Sequence, residues 1–174
     1  VSGDASRAAG IIRGLGGKEA VTDGCVIKNS GTLTVCDGST AQTGKITGGN
    51  SLSSGGGIYN EGTLNIIGGS VTNNTAARYG GGIYVGKNSV LNISDGAVTG
   101  NAVSGTDKAF GGGIYICMGT VNLSGGSISE NTVSGSDCTY GGGVYSDEGT
   151  IIITGGSISG HEATRGGGIY SVGS

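Results

Sequence analysis

Residues 111–128 read GGGIYICMGTVNLSGGSI, one copy of a pattern that fills most of the chain. GGGIY also begins at Gly55, Gly80 and Gly166, and GGGVY at Gly141, with successive spacings of 25, 31, 30 and 25 residues. After each of the first four copies comes an apolar pair at alternate positions: Leu64 and Ile66, Leu91 and Ile93, Val121 and Leu123, Ile151 and Ile153. Seven residues beyond the first member of each pair stands another apolar anchor: Val71, Val98, Ile128 and Ile158. A degenerate first copy carries Ile27, Leu33, Val35 and Ile46. Period two marks strands, and the Ile, Val and Thr in them suit strands. Three short strands per repeat cannot bury a face alone, but stacked copies form one continuous core. The expected fold is all-β: a parallel β-helix, a three-sheeted solenoid of about five to six rungs.

The solenoid is expected over residues 23–174. The array stops short of its next apolar pair, as a fragment of a longer array would. Residues 1–22 lie outside the repeat and read as a cap or lead-in. From Asp4 to Leu15, Ala5, Ala8, Ala9, Ile12 and Leu15 share one helical face, with Asp4 as N-cap and Gly16 as stop, so a short capping helix is expected there.

Composition narrows function. Gly makes up 42 of 174 residues, Pro is absent, charged residues are 12% and the net charge is −3. Collagen is excluded by the missing Pro and three-residue period. A weakly acidic chain lacks the basic face that nucleic acid requires. No apolar run is long enough to span a membrane as a helix. A single His, His161, and few charged groups leave little for hydrolytic or metal chemistry, so no enzyme activity and no cofactor are expected.

Strand parity sorts the outward residues. The aliphatic residue of each GGGIY points inward, so the next one points out. That gives an outer ladder of Tyr59, Tyr84, Tyr115, Tyr145 and Tyr170. Such a strip either stacks against sugar rings or peptide backbone, or serves only to stabilise its sheet. Tyr79, Phe110 and Tyr140, each just before GGG, fall at inward parity and are expected in the core. Asn74, Asn101, Asn131 and His161 share one turn position and are expected to form a hydrogen-bonded ladder, with His161 its odd member and not a catalytic base. Rung arithmetic sets none of Cys25, Cys36, Cys117 and Cys138 over another, so free thiols are expected.

The two long connections, AVSGTDKAF from Ala102 and TVSGSDCTY from Thr132, are near copies on neighbouring rungs and are expected to stack into a ridge. Asp107 and Asp137 in them are candidate binding residues; a calcium ion bridging them is one reading, but the sequence has no calcium-binding GGxGxD array and no metal is expected there.

The repeat GGGIY, then GT-apolar-x-apolar, then GGS(V/I)(S/T)xN, resembles the repeats of polymorphic outer membrane proteins. It is closer still to adhesin-like β-helix repeats in surface proteins of gut bacteria and archaea. The resemblance covers Gly24 to Tyr170. Gly stands where the first motif of the outer-membrane family has Ala. Val71, Val98 and Ile128 take the Phe place of its Phe-x-x-Asn motif, with Asn74, Asn101 and Asn131 matching. The last copy departs at Ile158 and His161. The resemblance implies a right-handed helix, an extracellular cell-surface location and adhesion to a glycan or a host or microbial surface protein, with no catalytic residues to carry over. Two other functions keep the same fold: a polysaccharide-processing enzyme, and an ice-binding protein that would use the Ser and Thr rows at Ser70, Thr72, Thr99, Ser127, Ser129, Ser157 and Ser159.

Overall fold

The alternation read above becomes columns of identical depth. In a computed structural model, which describes residues 11–13, 24–38, 43–106, 108–135 and 138–173, parallel strands stack as a β-solenoid. A six-stranded sheet holds Ile27–Asn29, Ile58–Asn60, Ile83–Val85, Ile114–Cys117, Val144–Asp147 and Ile169–Val172, each paired parallel to the next. Ile58, Ile83, Ile114, Val144 and Ile169 stand in one register column, as expected. The first four are at most 1% exposed, and Ile169 on the last rung is 37% exposed.

The second and third strand columns fuse. Thr63–Thr72 and Val90–Thr99 run unbroken round the Gly-rich corner and join both columns into a nine-stranded sheet. Leu64, Ile66 and Val71 pair with Leu91, Ile93 and Val98, and all six are fully buried. At ~1.5–3 kcal/mol for each large aliphatic side chain buried, these columns are the main source of stability.

The connections hold more structure than three strands per rung implies. Asn50–Ser51, Thr75–Ala76, Ala102–Ser104 and Thr132–Ser134 form a further parallel sheet, and Ala109–Phe110 pairs with Thr139–Tyr140. Val103, Ala109 and Val133 bury with Ala76 in a second small core. Most of the expected ridge is therefore strand, because Val103 and Val133 supply a buried anchor on each rung.

Glycine shapes one corner by close approach. A Cβ on Gly112 would meet the Thr132 backbone, and 2.5 Å from it lies the Gly142 carbonyl; Gly56 and Gly81 are hemmed in the same way. Backbones of facing sheets touch there, so the interior at GGG has no room for a side chain.

The helix expected over residues 4–15 is not what forms toward its C-terminal end. Ile11–Arg13 is a strand, paired parallel to Lys45–Thr47. The β-branched Ile11-Ile12 pair suits a strand, flanking Gly10 and Gly14 weaken a helix, and Lys45–Thr47 offers an edge needing partners. The other residues of that segment lie outside the described ones. Among the described residues no helix is long and apolar enough to cross a membrane.

Candidate functional site

All eight aromatic side chains, seven Tyr and one Phe, gather in one outer strip. Strand register sets Tyr59, Tyr84, Tyr115, Tyr145 and Tyr170 over one another. Their rings stack with centroids 4.6, 5.7, 5.3 and 5.6 Å apart and planes within 12° of parallel. Ring faces are thus turned to neighbouring rings along the axis, and edges and hydroxyls turn outward.

Tyr79, Phe110 and Tyr140 do not enter the core. They are half-buried and form a second column beside the first, with centroids 5.9 and 5.4 Å apart. The reason is local. Gly80, Gly111 and Gly141 hold φ near +60° (+60°, +66° and +63°), which breaks strand alternation, so counting parity back through GGG fails. Ala109, not Phe110, is the buried residue on its strand. Each ring of the second column leans on the tyrosine one rung further along: Tyr79 on Tyr115 at 4.7 Å, Phe110 on Tyr145 at 4.6 Å and Tyr140 on Tyr170 at 4.9 Å. Tyr115 and Tyr145 are consequently only 7% and 9% exposed.

Cations close two column ends. The Lys28 ammonium lies 5.2 Å from the Tyr59 ring centroid and 3.7 Å from the Glu61 carboxylate. The Arg165 guanidinium, at the place of a fourth aromatic, lies 5.6 Å from the Tyr140 centroid. The Tyr115 hydroxyl donates to the Asp147 carboxylate at 3.1 Å. Burial pushes the Tyr84, Tyr115 and Tyr145 phenols above their usual range, and the Asp147 charge adds to this at Tyr115 and Tyr145.

The Asn ladder is internal. Asn74, Asn101 and Asn131 are fully buried, and each of the first two donates its amide to the next one's carbonyl oxygen at 3.0 Å. The Asn101 and Asn131 side chains also donate to the Val71 and Val98 carbonyls at 2.9 Å. His161 takes the same position. Its Nδ1 accepts from the Asn131 backbone N–H at 3.1 Å, and its Nε2 lies 3.1 Å from the Ile128 carbonyl. Both ring nitrogens are engaged in holding the rung.

A second outer face is polar. Asn122 donates to Asn92 at 2.7 Å and Asn92 to Asn65 at 2.8 Å, while Ser129 donates to Thr99 at 3.0 Å. Ser70, Ala97, Ser127 and Ser157 share one register column. Asp107 and Asp137 lie outside the described residues. Among the described residues no group of three or more His, Cys, Asp or Glu could hold a metal ion. Cys36 and Cys117 are free thiols.

No protein family, curated protein or solved structure matches the chain.

Proposed function

We propose that this chain is a non-catalytic rod segment of an extracellular surface protein, an adhesin or stalk, which holds residue columns toward a glycan or protein partner. The observation that carries the reading is the aromatic strip: five tyrosines in unbroken register, flanked by a second aromatic column, on one outer face. Tyr115 and Tyr145 are covered, so the half-buried rings of Tyr59, Tyr84 and Tyr170 and of the second column, Tyr79, Phe110 and Tyr140, are what the rigid scaffold offers an extended partner lying along its axis. The ring faces are already used within the stack, so the partner meets edges and hydroxyls. Tyr and Phe supply large contact area at low entropic cost. The repeat's resemblance to surface adhesins points the same way.

A glycan array probed with the wild type and with a Tyr59→Ser, Tyr84→Ser, Tyr170→Ser variant tests this. These three are half-buried, so they spare the most buried rings. The wild type should retain extended glycans and the variant should lose them. Binding that survives, with circular dichroism unchanged, removes the strip from contention. A blank array leaves the rod as a spacer. Release of reducing ends from polysaccharides, or clear thermal hysteresis from the Ser and Thr rows, would replace the display reading altogether.

A further inference from the structure

Three Asn-x-Ser/Thr triplets occur in the chain: Asn73-Asn74-Thr75, Asn92-Ile93-Ser94 and Asn122-Leu123-Ser124. Such a triplet can accept an N-linked glycan where its first amide is within reach of a transferase. The fold treats the three differently.

Asn92 and Asn122 lie inside strands, half-buried, in the outer asparagine column. Their Nδ2 atoms, the groups that a glycan would join, already donate along the column. Asn92 donates to Asn65 at 2.8 Å and Asn122 to Asn92 at 2.7 Å. Register sets Asn65 and Asn122 on either side of Asn92, one rung of about 4.8 Å away. A sugar on either nitrogen would press on the next side chain of the column.

Asn73 is exposed, in the turn between Thr63–Thr72 and Thr75–Ala76. Its φ of +53° lies in the left-handed region, which asparagine tolerates better than most residues. Among the described residues its side-chain amide has no hydrogen-bond partner. Register places Gly48 one rung before it and Gly100 one rung after, both at positive φ. Gly160 takes the same place on the last rung. The turn therefore does not need a side chain here, and the glycines leave space along the axis on both sides. The Thr75 hydroxyl, which completes the triplet, donates to Asn50 at 3.0 Å in an exposed bond.

We propose that Asn73 is an acceptor site for an N-linked oligosaccharide, and that Asn92 and Asn122 are not. The donor class is an oligosaccharide carried on a polyprenyl diphosphate. The Asn73 Nδ2 forms a bond to the anomeric carbon, the bond from that carbon to the diphosphate oxygen breaks, an Nδ2 proton is released and the lipid diphosphate leaves. The glycan would project from a corner on a different sheet from the tyrosines. The inference rests on the extracellular placement in the proposed function.

The test is cell-free synthesis of the full chain, behind an export signal, with microsomes that supply the transferase and the lipid-linked donor. Protection from added protease identifies the translocated chains. Soluble translocated chains are weighed by mass spectrometry before and after peptide-N-glycosidase. One glycan is expected on the wild type and on Asn92→Gln and Asn122→Gln. None is expected on Asn73→Gly, which reproduces the residue of the neighbouring rungs and keeps the turn. Thr75→Val, which keeps the β-branched shape and removes the hydroxyl, should also carry none. Translocated wild type without a glycan, a glycan that survives Asn73→Gly or Thr75→Val, or one mapped to Asn92 or Asn122 in soluble chains overturns the proposal. Because the microsomes impose export, failure here removes the acceptor site and leaves the tyrosine strip to the glycan array. A blank array likewise leaves this result standing.

Discussion

The Nδ1 atom of His161 accepts the Asn131 backbone N–H at 3.1 Å, where Asn101 and Asn131 offer a carboxamide oxygen to the rung before. The Nε2 atom, 3.1 Å from the Ile128 carbonyl, replaces the amide donor. Neutral histidine protonated on Nε2 is thus a substitute for asparagine. Protonated histidine is not, because it has no acceptor for the Asn131 N–H.

Burial lowers the His161 pKa, and the Ile128 carbonyl beside Nε2 opposes this only in part. Folding therefore favours the neutral form. The stability it contributes is complete above the unfolded value of about 6.5 and is lost as pH falls below that toward the lowered folded value. Thermal unfolding followed from pH 8 to pH 5 should show this loss, and His161→Asn should remove that component of the pH dependence. A wild type whose melting temperature tracks that of His161→Asn at every pH would refute the assignment.

The same position shows what a repeat discloses before its structure is known. The column from Ile58 to Ile169 and the Asn ladder follow from the repeat, because like residues recurring once per rung become vertical stacks in a solenoid even where the rungs differ in length. The lateral placement of Tyr79, Phe110 and Tyr140 does not follow. It turns on the left-handed φ of Gly80, Gly111 and Gly141, which alternation counting cannot register. For the same reason the aromatics read from sequence as one outer column with three further rings in the core, when they are two columns that cover each other. The short strands around Val103 and Val133 are hidden by their length, two or three residues being too few to display a period.

Glycines divide by what surrounds them. At Gly112 a Cβ would press on the Thr132 backbone and the Gly142 carbonyl, neither of which can move without shifting a sheet. Gly112→Ala should cost at least ~3 kcal/mol, the upper range for overpacking. Gly31 has nothing within 4 Å of its Cβ position. Gly31→Ala should be neutral or stabilise by ~0.4–1 kcal/mol through the unfolded chain. Denaturant midpoints of the two variants decide it, and similar losses in both would refute the contact argument.

Ser146 carries a buried hydroxyl with no hydrogen-bond partner. It is fully buried in an inward column whose preceding members are Val85 and Ile116. An unsatisfied buried hydroxyl costs ~1–3 kcal/mol. Ser146→Ala removes it at little loss of volume, and should raise stability by about 1 kcal/mol. A fall in the melting temperature would show that the hydroxyl is satisfied in solution.

The tyrosine strip makes an alkaline prediction. Tyr84, Tyr115 and Tyr145 have phenols raised by burial, so folding favours their neutral forms. In the unfolded chain they ionise near pH 10. Their contribution to stability is therefore complete below that pH and is lost as pH rises above it toward the raised folded values. Tyrosinate absorbance should include a late stage, from these three rings, that coincides with loss of the β-sheet circular dichroism signal. At Tyr115 the hydroxyl donates to Asp147 at 3.1 Å, a bond that only the neutral phenol can make. Asp147→Asn removes the neighbouring negative charge, so Tyr115 should ionise at lower pH and the late stage should begin earlier. A single tyrosinate transition centred near pH 10 with the β-sheet signal intact would mean that the stacked rings are open to water, contrary to the burial of Tyr115 and Tyr145.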